Sequence, residues 1–355
     1  MNDPGVKAPS IKDLRSVRRR AVTKSQQDWV QEELLPVGRQ LPLVLRPAMD
    51  EVDLVSWAGD NRPAIEPRLL SYGAILFRGF GIGSAGELEN LVAAISGGLM
   101  GYEDRSSPRS LVSGNIYTST DHPSDQNIAL HNENSYSFTW PLKIFFFGLL
   151  PATSGGETTI ADSRRVYQRL DPEIRERFHR RRLMYVRNFG DGLGLSWQTA
   201  FQTEDPVVVE EFCRNADIQV EWKSGSRLRT RQVRPAVARH PRLGEPVWFN
   251  QAHLFHISGL APEVRSELLA AFAEEDLPSN VYYGDGSPIE ETALEAIRSA
   301  YDEETVAFPW QQGDVLMLDN MLVAHGRAPF EGPRKIVVGM SEPFSLRELW
   351  AGEGG

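Results

Sequence analysis

Leu142–Leu150 reads Leu-Lys-Ile-Phe-Phe-Phe-Gly-Leu-Leu, a run almost wholly apolar, rich in aromatic residues and too short for a buried helix. Such a run is a strand buried on both faces. Its counterparts lie far along the chain, at Gly313–Asp319 and Lys335–Met340. Leu41–Arg46 and Gly73–Phe80 read as earlier strands, and Val247–Asn250 as a short one. Helical spacing marks Asp50–Gly59, Ile65–Tyr72 and Ser84–Ile95, the last with Ser84 as a cap. Ser163–Arg182 reads as one amphipathic, Arg-rich helical region and Ala261–Glu275 as another helix. Strands, then helices, then strands do not alternate as βαβ units would. The order predicts a mainly β chain, an antiparallel sandwich with a helical insertion over about residues 160–300.

No repeat or linker divides the chain, so one domain is expected over 26–350, after a basic lead-in over 1–25. Residues 104–127 are rich in Ser, Pro, Asn and Asp, the composition of a long loop. Loops of that length inside a compact domain are commonly functional, and this one ends just before His131, so a lid is expected. The net charge of −10 argues against a nucleic-acid partner. The single cysteine, Cys213, excludes an intramolecular disulfide and cysteine-rich metal sites. With no apolar leader and no stretch able to span a bilayer, a cytoplasmic protein without membrane contact is expected. Oligomeric state is left open.

The chemistry lies in the seven histidines. His179 sits in a charged helical segment, His240 in a turn before Pro241, and His122 in the polar stretch. His253 and His256 have helical i, i+3 spacing but no acidic neighbour, and read as structural. His131 differs, because Glu133 follows two positions on. On a strand those side chains share a face and can reach one metal. A distant histidine, His325, ends an apolar segment and would complete a two-histidine, one-carboxylate set, the facial triad of non-haem iron(II) oxygenases. His-x-Glu alone is a weak motif. Arg334, nine residues after His325 (334 − 325), adds a fork suited to a dicarboxylate. Thr158 follows a Gly155-Gly156 turn, 27 residues after His131 (158 − 131).

Together these segments resemble the taurine dioxygenase superfamily of iron(II)/2-oxoglutarate oxygenases, in particular the syringomycin-type amino-acid hydroxylases. The resemblance runs from Gly73–Phe80 to Arg334. It rests on Leu-His-Asn-Glu-Asn-Ser-Tyr136, Trp140-Pro141, Gly155-Gly-Glu-Thr158 with Ala161-Asp162, Trp248-Phe-Asn250 and His325-Gly-Arg327 through Arg334. It implies a double-stranded β-helix (jelly roll) with His131, Glu133 and His325 as Fe(II) ligands. It also implies Arg334 and Thr158 as partners of the distal carboxylate of 2-oxoglutarate, with O₂ as the second co-substrate. Many members carry Asp where this chain has Glu133, and the clavaminate-synthase branch carries Glu. Some use a second arginine four residues after the first for an acidic substrate, where this chain has Val338. In related halogenases a small residue vacates the carboxylate position, so Glu133 argues against halogenation.

The expected reaction is hydroxylation of an unactivated C–H in an amino-acid-like small molecule, free or tethered to a carrier protein, in natural-product biosynthesis. Desaturation or cyclisation by the same chemistry is the alternative. A zinc hydrolase would use the same three ligands but leaves Arg334 and Thr158 without a role, and a non-catalytic jelly roll leaves the triad without one. Candidate substrate contacts are Asn127, Tyr136, Asn250 and Arg239, each of which a packing or backbone role explains equally well.

Overall fold

The computed structural model describes residues 29–36, 38–101, 111–118, 122–190 and 194–353. Its frame is an eight-stranded sheet in the order Val30–Leu34, Leu43–Pro47, Ala74–Phe77, Val315–Asp319, Thr139–Leu150, Lys335–Ser345, Ile116–Thr118 and Leu111–Ser113. The apolar run singled out in the sequence lies at its centre, with Phe147 opposite Val315 on one side and Val337 on the other. Neighbours pair antiparallel except Leu43–Leu45 with Ile75–Phe77, which run parallel. A smaller sheet packs against it, ordered Ile128–His131, Val323–Arg327, Ile160–Asp162.

The pleat of Thr139–Leu150 explains why almost every residue on it is apolar. Phe145 and Phe147 point to one side, into a cluster with Leu88, Leu91, Val92 and Ile95 of helix Ala85–Ser96. Ile144 and Phe146 point to the other, with Val338, Leu316 and Val323. Both faces are covered, so neither carries polar residues. Burying each such side chain is worth about 1.5–3 kcal/mol. Helix Ala85–Ser96 begins as expected. The Ser84 hydroxyl accepts from Glu87 N, and the Glu87 carboxylate accepts from Ser84 N, both at 3.2 Å.

Three expectations are corrected. The insertion is not purely helical: it holds a four-stranded antiparallel sheet ordered Ile218–Lys223, Arg227–Arg234, Leu183–Phe189, Ser279–Tyr283. Arg227–Arg234 reads Arg-Leu-Arg-Thr-Arg-Gln-Val-Arg, too charged to look like a strand. Tertiary partners offset those charges: Arg231 pairs with Glu221 at 2.7 Å and Arg229 with Asp276 at 2.5 Å. Arg234 is buried and donates to the carbonyls of Ala216 and Tyr136. Second, Ser163–Arg182 is two helices, Ser163–Arg169 and Pro172–Arg181. Asp171 caps the second and Pro172 opens it, which ends the first. Third, residues 104–127 are not one loop. Leu111–Ser113 and Ile116–Thr118 form an edge hairpin, with Val337 opposite Thr118. Residues 104–110 and 119–121 of the expected lid lie outside the described residues, as does the basic 1–25 segment. No helix among the described residues is long and apolar enough to cross a membrane.

Helix Ala252–Phe255 is fastened to the smaller sheet by His253, whose Nε2–H donates to the Leu130 carbonyl at 2.8 Å. Burial pushes His253 down to about 4, so the ring is neutral in the folded protein. The unfolded chain binds a proton near pH 6.5 and the folded one does not. Stability is therefore lost as pH falls from about 6.5 to about 4, by roughly 3 kcal/mol from this group. Denaturant titrations across that window should show the loss, and His253→Gln should flatten it. An equal slope in the variant would mean other groups carry the acid sensitivity.

Candidate metal centre

His131 is the last residue of Ile128–His131 and sits directly opposite His325 in the register of the smaller sheet. The ring centroids are 4.5 Å apart. Between His325 and Arg327 the pairing slips, so that Arg327 faces Ile128 and Ile128–His131 carries one extra residue, a bulge. Gly326 allows this close approach, since a Cβ there would lie 2.4 Å from the Ile128 carbonyl. Within the bulge the Ala129 carbonyl accepts from His131 Nδ1 at 2.8 Å. A carbonyl can only accept, so Nδ1 carries the proton and Nε2 is left as the ligand atom. Phe146 packs on His325, ring centroids 5.0 Å apart.

Glu133 is not placed by strand alternation, contrary to the sequence argument. The strand ends at His131, and Glu133 stands in the turn that follows. Buried Asn320 holds it there. Asn320 Oδ1 accepts from Glu133 N at 2.8 Å, and Asn320 Nδ2 donates to the carbonyls of Glu133 and Pro141, both at 2.9 Å. Asn132 adds a bond to the Asn320 carbonyl at 2.7 Å. Glu133 Oε2 ends 3.7 Å from His325 Nε2. Ligand atoms of His131, Glu133 and His325 all lie within 4.8 Å of one another. That spacing suits three bonds of about 2 Å to one ion, and an N₂O set with the remaining positions open suits iron(II).

Arg334 stands just before strand Lys335–Ser345, and its Nε donates to the Gly156 carbonyl at 3.0 Å. Gly156 has φ +73°, and a Cβ there would come within 3.0 Å of Arg334 Cδ and Nε, so the Gly-Gly turn is what lets the guanidinium pass. Burial, then the neighbouring Arg327 charge, pushes Arg334 down to about 10, against Glu157, leaving it protonated at neutral pH. Thr158, on the same turn, is buried and accepts from Trp310 Nε1 at 3.2 Å, which leaves its hydroxyl proton to give.

The remaining candidates are held elsewhere. Asn250 Nδ2 donates to the Ala236 carbonyl and its Oδ1 accepts from Ala252 N. Tyr136 packs against Tyr185 and Phe255 in the core. Arg239 is exposed on the Val237–Trp248 hairpin and donates to the Gly244 carbonyl. Asn127 is exposed just before Ile128–His131. His240 is buried: its Nδ1 accepts from the Arg242 and Leu243 amides, and its Nε2–H donates to Asp319 at 3.0 Å. Sequence reasoning missed Asn320 and Phe146. Only the polar Asp319-Asn320 pair ending an apolar strand hinted at the former.

His131→Ala and His325→Ala each remove one of three protein ligands, and should abolish tight metal binding with little change in melting temperature. Asn320→Ala leaves buried Glu133 and Pro141 groups unpaired. It should weaken metal affinity by about 10–100-fold, the usual effect of losing a group that orients a ligand. Metal titration by calorimetry checks both, and wild-type affinity in either histidine variant would refute the ligand set.

A family model described as taurine catabolism dioxygenase TauD, TfdA family matches residues 38–340. The chain is 43% identical over 279 residues to the dapdiamide synthesis protein DdaC of Enterobacter agglomerans, covering 79% of this chain and 85% of that one. It is 31% identical over 283 residues to a clavaminate synthase-like protein of Arabidopsis thaliana, covering 76% and 81%. Among solved structures, PvcB of Pseudomonas aeruginosa shares the fold with TM-score 0.55 at 17% identity, covering 90% of this chain and 94% of that one. A taurine dioxygenase of Burkholderia xenovorans does so with TM-score 0.53 at 16% identity, covering 90% and 92%. With the jelly roll and the ligand cluster in place, the chain belongs to the TauD/TfdA family, the non-haem iron(II)- and 2-oxoglutarate-dependent dioxygenases.

Proposed function

We propose that this dioxygenase hydroxylates an unactivated C–H of an amino-acid-like small molecule, free or tethered to a carrier protein, in a natural-product pathway. The observation that carries the reading is the intact triad together with Arg334: Glu133 keeps the carboxylate position occupied, and Arg334 packs on the Gly155-Gly156 turn, whose segment runs on to Ile160 opposite His325. Bound iron(II), with 2-oxoglutarate and O₂, supplies the oxidising power for C–H cleavage and releases succinate and CO₂. The chain's own residues do the rest. His131 and His325 present ring nitrogens, and Asn320 holds the Glu133 backbone. Arg334 and Thr158 would take the distal carboxylate of 2-oxoglutarate and so orient the co-substrate. Phe146 and Val338 keep water from one side of the site. Val338 offers no charge to a substrate acid group, so such a group binds elsewhere or is masked, as in a carrier thioester. The name of the 43%-identical relative, a dapdiamide synthesis protein, supports a natural-product setting.

A panel of amino acids, free and carrier-bound, should identify one that stimulates succinate release and gains one oxygen by mass. Loss of two hydrogens instead would mark desaturation or ring closure. Arg334→Gln should weaken 2-oxoglutarate binding with Fe(II) affinity unchanged. Losing one partner of a buried ion pair costs roughly 3–5 kcal/mol. Arg334 is only partly buried before the dicarboxylate binds, so about a hundredfold is expected, at the lower end. Thr158→Val should cost about tenfold or more, since a hydrogen bond to a charged group is worth roughly 1.5–3 kcal/mol. Anaerobic titration of the charge-transfer band reads both. An unchanged dissociation constant in Arg334→Gln would refute the assignment.

A further inference from the structure

Arg327 lies two residues after His325 on the same strand, and its side chain is 5% exposed. Among the described residues no carboxylate pairs with it. Instead Nη1 donates to the His122 carbonyl at 3.1 Å, and Nη2 donates to the carbonyls of Pro123 at 2.6 Å and Gln126 at 2.9 Å. Phe330 N adds a fourth bond, to the Ser124 carbonyl at 2.8 Å. Residues 122–126 are exposed and form no helix or strand, so these bonds fasten them to the sheet. They lead directly into Ile128–His131 and thus into the first metal ligand. Arg327 therefore grips the approach to one ligand from a position beside the other.

The same guanidinium lies 5.0 Å from the centroid of the Phe330 ring, and that of Arg334 lies 5.5 Å from it. Two cations thus converge on one aromatic ring, and each disfavours the charge of the other. A dianion bound at Arg334 lowers that repulsion and lets both guanidinium groups settle against the ring.

We propose that Arg327 is a positioning residue that couples co-substrate occupancy to the order of the 122–126 segment. Its fork holds the segment's carbonyls, and its charge strengthens the hold on a dicarboxylate at Arg334. The coupling rests on the reading of Arg334 given above, whereas the clamp itself rests on the hydrogen bonds alone. Reciprocity follows: whatever affinity the ordered segment lends to 2-oxoglutarate, 2-oxoglutarate returns as order in the segment.

Arg327→Lys and Arg327→Gln of the full chain separate the two roles, because lysine keeps the charge but cannot fork to three carbonyls. Hydrogen exchange of the 122–130 amides, with and without 2-oxoglutarate on the metal-loaded protein, is the main readout. In the native protein, 2-oxoglutarate should slow exchange there. In Arg327→Lys, exchange of those amides should rise by about tenfold or more and no longer respond to 2-oxoglutarate, while its dissociation constant stays within about threefold. Arg327→Gln should show the same loosening and, in addition, bind 2-oxoglutarate about tenfold more weakly. Native exchange in Arg327→Lys would overturn the clamp. Loosened exchange that 2-oxoglutarate still slows as in the native protein would overturn the coupling. Arg334→Gln with native 2-oxoglutarate affinity would overturn the co-substrate pocket instead, whatever the exchange data show. If Arg327→Gln fails to fold, Arg327→Lys decides alone.

Discussion

The antiparallel pairing of Val323–Arg327 with Ile128–His131 is the contact on which the site depends. It places His131 opposite His325, although the two are far apart in sequence. Closing so long a loop carries an entropy cost, and two histidines cannot offset it. The large sheet does so, because Thr139–Leu150 is locked between Val315–Asp319 and Lys335–Ser345 with both faces buried. The metal centre is thus a consequence of the sandwich closing, and its precision comes from Gly326, which lets the strands approach.

Buried polar groups then aim the ligands. Asn320 and Asn132 fix the turn that carries Glu133, while the carboxylate of Asp319 accepts from the Met321 and Leu322 amides and from His240. These bonds hold the turn in one conformation. A second network backs Thr158. Buried Arg78 pairs with Asp314 at 2.6 Å and donates to the Pro309 carbonyl at 2.8 Å. Asp314 also accepts from Gln311 N. Both bonds flank Trp310, whose indole meets Thr158. Removing one partner of Arg78–Asp314 would leave a buried charge alone, at a cost of roughly 3–5 kcal/mol.

The central strands of the large sheet were legible because burial on both faces forces continuous apolar sequence, whereas edge strand Val30–Leu34, mostly exposed, was not. Leu142–Leu150 and Lys335–Met340 are found where expected, and Ser84 caps its helix because a hydroxyl before an apolar-periodic segment has one dominant use. The insertion was not legible. Arg227–Arg234 is a strand only because Glu221, Asp276 and backbone carbonyls meet its arginines, and none of these is close in sequence order to them all. The hairpin Leu111–Thr118 was read as loop because its strands are only three residues each, too short to show a period, although Ile116 and Tyr117 are buried.

Sequence alone determined which residue types are available for chemistry: two histidines and a glutamate with the right partners, an arginine nine positions after the second histidine, and a Gly-Gly turn before Thr158. Local composition suffices for that, because ligand chemistry and glycine's conformational freedom belong to single residues. Only the tertiary structure decided how they are aimed. Glu133 reaches the metal site from a turn rather than a strand, since Asn320 intervenes from the far end of the chain. Asn250 and Tyr136 are occupied with backbone and core, and Arg239 faces solvent. Arg327 became visible as a clamp only when its three carbonyl partners came into view. Side-chain direction depends on register, bulges and buried hydrogen bonds between distant segments, and those are properties of the folded chain rather than of any stretch of it.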